Sequence, residues 1–323
     1  MPKAKVFVTR ILPVRGMEMV QEYCDADVWP HDLPPSREEL LERVGDAEGL
    51  LSLLTENIDA RVMDAAPRLR VISNCAVGVD NVEVAAATAR RIPVGNTPDV
   101  LTDATADMAF ALLLSAGRRI VEGVNYVRAG HWKTWGLRVL LGVDLAGATL
   151  GIIGFGRIGK AVAKRALGFG MRVLYHDPSV LPTLGALPVD LDQLLRESDF
   201  VSLHVPLTDE TRHMINEVTL SKMKPGAVLV NTARGPIVDL SALYRALNSG
   251  RIFAAGLDVT EPEPIDGDSP LLHMDNCIIV PHLGSASQWT REQMGILAAK
   301  NLIAGLKGEK LPHCVNPEVY TRP

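Results

Sequence analysis

Three strand-like runs in this chain end in side chains suited to proton and anion chemistry. "VNTARGPIVD" places Arg234 after one run, "GLDVTEPEP" places Glu261 and Glu263 after the next, and "IIVPHLGSA" places His282 after the last. A guanidinium offers a forked set of donors to a carboxylate and an adjacent carbonyl oxygen. An imidazolium can give a proton to an oxygen on which negative charge develops. A carboxylate beside that ring favours its charged form and holds it in place. Strands of a doubly wound sheet aim their C-terminal ends at one crevice, so the cation, the acid and the imidazole are expected to converge there.

A fourth stretch, "TLGIIGFGRIGKAVAKRALGFGMRVLYHDP", supplies the reaction partner. Gly154, Gly156 and Gly159 form GxGxxG between a strand and a helix. Gly154 permits the tight turn, Gly156 lets a pyrophosphate approach the backbone, and Gly159 lets helix and strand pack while the helix start faces the anion. The next strand ends at Asp177, 18 residues past Gly159, where a carboxylate can bind the adenosine ribose hydroxyls. Its charge repels a 2′-phosphate and no basic residue follows closely, so NAD is favoured, with NADP as the alternative. With a reduced nicotinamide at the crevice, hydride transfer to a carbonyl carbon would leave charge on the oxygen, to which an imidazolium such as His282 could give a proton.

The surrounding pattern is that of two α/β units. "KVFVTR", "GLLSLL", "LRVISNCA" and "IPVGN" read as strands, with "SREELLERV" as a helix opened by a capping box. From Asp103 to about Gly130 the pattern predicts one long amphipathic helix bridging two domains. Beyond it, "TLGIIG", "MRVLYHD", "FVSLHVP", "AVLVNTARG", "AAGLDV" and "CIIVP" are six apolar runs separated by helices such as "KAVAKRALGFG" and "LSALYRALNSG", as a buried parallel sheet requires. A last helix, about Ser287 to Lys307, returns the chain to the first domain. The expectation is thus two Rossmann-like or flavodoxin-like domains with doubly wound parallel sheets and a cleft between them. Residues 1–100 with 288–323 form a substrate domain, and residues 101–287 a dinucleotide-binding domain.

Composition excludes several classes. The 323 residues are 47% hydrophobic and 22% charged, with net charge −5, which leaves no positive surplus for nucleic acid. "MAFALLLSA" is far short of a membrane span, and "MPKAKVFVTR" lacks the pattern of a signal peptide, so a cytoplasmic protein without membrane attachment is expected. Cys24, Cys75, Cys277 and Cys314 are scattered, offer no metal knuckle, and read as buried small hydrophobes; no metal is expected.

These motifs in this order, with "NCAVGVDNV" (Asn74 to Val82) and "VGNTPDVLTDATAD" (Val94 to Asp107), make the chain resemble the D-isomer-specific 2-hydroxyacid dehydrogenases along essentially its whole length. The glyoxylate/hydroxypyruvate reductase branch fits best. The resemblance implies Arg234, Glu263 and His282 as the catalytic set, because Glu263 directly precedes the final proline of "EPEP"; Glu261 is the competitor. For the cofactor it implies Thr102, Gly154, Phe155, Gly156, Arg157, Ile158, Gly159, Asp177, His204, Pro206, Thr211, Thr232, Ala233, Asp258 and Gly284. For the substrate it implies Leu53, the backbone amides of Ala76, Val77 and Gly78, Arg234, His282, Ser285, and Trp135 lent by the partner subunit of a homodimer. The loop "PSVLPTLGALPV" after Asp177 is short against the family pattern and bears on nucleotide preference. The alternatives are another family member, such as a 3-phosphoglycerate dehydrogenase, and a non-catalytic, dinucleotide-sensing corepressor-like protein.

Overall fold

A computed structural model of the chain describes residues 2–179, 183 and 185–321. It divides into two compact units, Met1–Leu101 with Ser287–Pro323, and Thr102–Ala286. The first unit starts with β1 (Ala4–Val8), α1 (Val14–Tyr23), β2 (Cys24–Val28), α2 (Arg37–Arg43), β3 (Gly49–Ser52), α3 (Ala60–Ala65), β4 (Val71–Asn74), α4 (Val84–Ala89) and β5 (Val94–Gly95). The second contains α5 (Thr102–Gly117), α6 (Ile120–Arg128), β6 (Thr149–Ile153), α7 (Arg157–Gly168), β7 (Arg172–His176), β8 (Leu187–Pro188), α8 (Leu191–Glu197), β9 (Phe200–Leu203), α9 (Glu217–Lys222), β10 (Val228–Asn231), α10 (Leu240–Asn248), β11 (Ala254–Leu257) and β12 (Cys277–Ile279). The chain then returns to the first unit in α11 (Gln288–Lys307).

Among the described residues the first unit holds a five-stranded parallel sheet in the order β2-β1-β3-β4-β5. That is the flavodoxin-like order, and its switch point lies at the C-terminal ends of β1 and β3. Phe7, Leu50, Ile72 and Val94 pack one sheet face against Leu40, Val62, Met63 and Ala87 of the helices. The capping box forms as its sequence requires: the Ser36 hydroxyl accepts from the Glu39 amide at 3.3 Å, and the Glu39 carboxylate accepts from the Ser36 amide at 2.8 Å.

The second unit carries a seven-stranded parallel sheet, β12-β11-β10-β9-β6-β7-β8. From β6 the chain first runs outward to β7 and β8, then crosses back to β9 and steps through β10, β11 and β12. The switch point is therefore at the C-terminal ends of β6 and β9. Every residue of β6, β9, β10 and β11 is buried, as expected for strands with helices over both faces. Two apolar clusters line those faces, one around Phe110, Ile152, Val162 and Phe200, the other around Leu194, Leu229, Leu243 and Leu257.

The structure departs from the sequence expectation in several places. The single long helix from Asp103 to Gly130 is two helices, because Arg119 adopts a left-handed backbone (φ +52°) and the Gly117 carbonyl accepts from the Val143 amide at 2.8 Å. No residue of α6 is buried, so its apolar period faces outward instead of into a core. Strands β2 and β8 and helix α1 were not read from the sequence. The edge strand β2 carries Asp25 and Asp27, and two-residue β8 contains a proline; neither has the apolar run of an inner strand. Cys24 and Cys75 are buried, but Cys277 and Cys314 are only half-buried, since one starts the edge strand β12 and the other bridges β5 at Gly95. Of the loop 178–189, residues 180–182 and 184 lie outside the described residues, as do the last two of the expected first domain.

Candidate active site

The glycine loop follows β6. Gly154 has φ +90°, and any Cβ there would lie 2.6 Å from the His204 carbonyl at the end of β9. A Cβ on Gly159 would meet the Gly154 carbonyl oxygen at 2.2 Å. Both positions thus need glycine, the first for conformation and both for close approach. At Gly156 nothing lies within 4 Å of an added Cβ, so the backbone there is open to a ligand. Gly156 caps α7 without a side-chain acceptor, and no acidic residue occupies the first turn, which leaves the helix start positive. Phe155 is fully buried and stacks on Tyr175 at 4.0 Å, its amide taken by Asp177, and Ile158 packs on the same core, so Ile158 can offer a phosphate only its backbone.

Asp177 directly follows β7 and closes the loop from beside it. Its carboxylate accepts from the Phe155 amide at 2.8 Å and from the Ser179 amide at 2.9 Å. After β9, the His204 imidazole is hydrogen-bonded to the Ser202 hydroxyl at 2.8 Å, and burial pushes it down to about 3, so it is neutral at physiological pH. The Thr211 hydroxyl donates to the Pro206 carbonyl at 2.7 Å and accepts from the Thr208 amide at 2.8 Å, closing its own turn. After β10, the Thr232 hydroxyl is buried with no hydrogen-bond partner among the described residues. The space at Gly156, the uncapped start of α7 and this orphaned hydroxyl fit a dinucleotide laid across the strand ends.

The candidate catalytic side chains follow β10, β11 and β12, which are neighbours in the sheet. Asn231 ends β10 and brackets the next residues: its amide donates to the Arg234 carbonyl at 2.8 Å and its oxygen accepts from the Ala233 amide at 3.0 Å. Arg234 itself is half-buried, and its guanidinium donates to the Ala233 carbonyl at 2.8 Å.

His282 donates from Nδ1 to Glu263 Oε1 at 2.6 Å, with the two side chains 25% and 36% exposed. This leaves Nε2, on the far edge of the ring, as the atom able to exchange a proton. Glu261, two residues earlier, is engaged elsewhere: Arg212 donates to it at 2.8 Å and His213 at 2.6 Å. Partial burial pushes its carboxyl up, but these two hydrogen bonds outweigh that and leave it below its ordinary value. Arg212 and His213 were not singled out from the sequence. They stand 49 and 48 residues from Glu261, so no local spacing signals the cluster.

His282 has a left-handed backbone, φ +52°, which costs a residue with a Cβ roughly 1–2 kcal/mol. Asp258, 2% exposed after β11, offsets that strain: its two carboxylate oxygens accept from the Leu283 amide at 2.5 Å and the Gly284 amide at 2.8 Å, while its carbonyl accepts from the His282 amide at 2.9 Å. Hydrogen bonds to a charged group contribute roughly 1.5–3 kcal/mol each, enough to hold the turn. Burial raises the Asp258 carboxyl above its usual range, opposed by those amides and by the His282 charge. Asp258 and Gly284, expected from the resemblance to meet the cofactor, therefore also form the clamp that aims His282.

In the first unit, the turn after β4 holds Ala76, Val77 and Gly78. The Ala76 amide donates to the Asn74 carbonyl at 2.9 Å and is spoken for; the amides of Val77 and Gly78 meet no acceptor among the described residues. Cys75 beside this turn stays a thiol, since burial pushes it up to about 12. Leu53 is half-buried and lies outside the core cluster; its amide donates to Glu56 at 2.8 Å and its carbonyl accepts from Asn81 at 2.8 Å. Thr102 is the half-buried first residue of α5, and Ser285 is 9% exposed. Trp135 is 77% exposed in the irregular segment after α6.

Known proteins resemble this chain in sequence and fold. The model of the D-isomer specific 2-hydroxyacid dehydrogenase NAD binding domain matches residues 110–284. A glyoxylate reductase of Korarchaeum cryptofilum is 54% identical over 322 residues, 98% of this chain and 97% of its own. A solved protein of Thermus thermophilus superposes with TM-score 0.92 at 50% identity, over 96% of this chain and 99% of its own. An NADPH-dependent glyoxylate/hydroxypyruvate reductase of Sinorhizobium meliloti, solved with NADP and malonate, gives TM-score 0.88 at 33% identity over 99% of each chain.

Replacing Asp258 by asparagine keeps the shape but turns one acceptor into a donor facing an amide. Steady-state kinetics should then show kcat reduced about 10²-fold.

Proposed function

Because the chain belongs to the D-isomer specific 2-hydroxyacid dehydrogenase family, we propose that it reduces a small 2-keto acid, glyoxylate or hydroxypyruvate, to the 2-hydroxy acid, the D isomer where the product is chiral. The observation that carries this reading is the 2.6 Å contact between His282 Nδ1 and Glu263 at the ends of adjacent strands, with Arg234 ending the third. A bound nicotinamide dinucleotide supplies the hydride. Gly154, Gly156, Arg157 and the start of α7 receive its pyrophosphate, and Thr102, His204, Pro206, Thr211, Thr232, Ala233, Asp258 and Gly284 complete its site. The seven-stranded unit is thus the dinucleotide domain and the five-stranded unit the substrate domain.

His282 gives its Nε2 proton to the carbonyl oxygen as charge develops there, and in the reverse direction takes it back. Glu263 holds the ring with Nδ1 protonated and opposes the positive charge it carries. Arg234 receives the substrate carboxylate and the adjoining oxygen on its forked donors. In the five-stranded unit, the amides of Val77 and Gly78 are the anion donors of this reading and Leu53 its apolar substrate residue; Ser285 is a substrate residue of the seven-stranded unit. Asp177 favours NAD over NADP, since a 2′-phosphate would face its carboxylate.

The protein acts as a homodimer in this reading. Trp132, Trp135 and Leu137 are 62%, 77% and 78% exposed, and Ile120 and Val127 of α6 are 53% and 52% exposed, large apolar side chains that a partner subunit would cover. Trp135 is the side chain lent to the partner's site.

His282→Ala should lower kcat about 10³-fold on glyoxylate and hydroxypyruvate while NADH binding persists; near-normal turnover removes His282 from the acid/base role. Asp177→Ala should narrow the NADH over NADPH preference in kcat/KM, and an unchanged ratio contradicts the ribose assignment. Analytical ultracentrifugation should show a dimer for the wild type and for Trp135→Ala, the variant having a higher KM for the keto acid; a monomeric wild type, or an unaltered KM, overturns the shared site.

A further inference from the structure

The amides of Val77 and Gly78 are useful to an anion only if their peptide planes are turned the right way, and the structure shows what turns them. In a trans peptide the N–H points opposite to the preceding carbonyl, and no cis bond occurs in this turn. Each of the three carbonyls here is tied back. The Ala76 oxygen accepts from the Thr97 amide at 2.8 Å, the Val77 oxygen from the Asn96 side-chain amide at 2.9 Å, and the Gly78 oxygen from the Asn74 side-chain amide at 3.0 Å. With the Ala76 and Val77 carbonyls held on one side, the Val77 and Gly78 amides must face the other, where they meet no acceptor among the described residues. A turn that bonds all its carbonyls and leaves successive N–H groups over is the backbone arrangement that binds anions.

Asn96 is itself fixed. Its carbonyl accepts at 2.8 Å from Asn301, a fully buried residue of α11, and the Asn301 oxygen accepts from the His313 amide at 3.1 Å. Asn74 is fully buried as well, and its amide is shared with Asn81 at 3.1 Å, while Asn81 donates to the carbonyls of Leu53 and Glu56 at 2.8 and 2.9 Å. The loops carrying Leu53 and Val77 are therefore locked in one buried polar network rather than left to adjust.

We infer that Asn96 is a positioning residue for the substrate carboxylate: by holding the Val77 carbonyl it aims the Gly78 main-chain amide at it without touching it, beside the Val77 amide that the Thr97–Ala76 bond aims. This rests on the reading that those amides bind the carboxylate. Only the side chain of Asn96 reaches Val77, and its backbone bonds survive truncation, so Asn96→Ala removes the one contact.

The test uses the full-length enzyme saturated with NADH. Asn96→Ala should raise KM for glyoxylate about tenfold, the equivalent of one lost hydrogen bond, with kcat within about twofold and NADH binding unchanged. In parallel, amide NMR of the wild type titrated with glycolate should shift the Val77 and Gly78 resonances, and the shift should shrink in the variant. If glycolate moves those amides in the wild type but Asn96→Ala keeps the normal KM, the positioning role is wrong and the carboxylate site stands. If glycolate leaves them unmoved in the wild type, the carboxylate binds elsewhere and the inference falls with that reading.

Discussion

The proposed chemistry hangs on one hydrogen bond, from His282 Nδ1 to Glu263 at 2.6 Å. It settles which ring nitrogen keeps its proton and which is left to act, and neither residue could set that alone. The bond exists because two loops, each following a different strand, are brought to a fixed separation. Parallel register between β11 and β12, pairing Leu257 with Ile279, brings the starts of those loops side by side. Asp258 then turns the His282 backbone into a conformation it would not take unaided. An accessible ion pair contributes little to stability, so the value of this one lies in orientation.

The same economy recurs across the sheet. The dinucleotide loop sits where strand order reverses, at β6 and β9, and the Gly154 turn fits only against the His204 backbone. In the proposed mechanism side chains make the acid/base and cation, whereas main-chain amides at Gly156, Val77 and Gly78 serve anions. A main-chain amide has no rotamers to freeze, and its direction is settled once the carbonyl before it is bonded. A hollow lined by Arg119, Phe253 and Asp275 opens at the N-terminal ends of β11 and β12, the opposite end of the sheet from His282, and has no part in this chemistry.

Much of this was legible in the residues. Fully buried strands announce themselves as apolar runs, and GxGxxG between a strand and a helix has few other uses, so the second unit's inner strands and glycine loop could be read directly. Long-range pairing could not. Glu261 and Glu263 are alike in sequence, and only the fold shows one held by Arg212 and His213 and the other by His282. The break between α5 and α6 escaped because the apolar period of α6 mimics a core face although the helix buries nothing. Edge strand β2 escaped because acidic residues interrupt it. The role inferred for Asn96 depends on where its amide ends up, 19 residues back along the chain at Val77, and asparagine beside Thr97-Pro98 reads locally as a mere turn former.

The most direct test of the central claim is the proton on the His282 ring itself. Long-range proton–nitrogen correlation NMR on enzyme labelled with 15N-histidine, assigned with a His282→Gln variant, reads each ring nitrogen through a pH titration with NADH bound. The account predicts that Nδ1 of His282 keeps its proton in both charge states while Nε2 gains and loses one. A neutral His282 protonated at Nε2 and bare at Nδ1 would contradict it, for the nitrogen facing Glu263 would then be the one that exchanges.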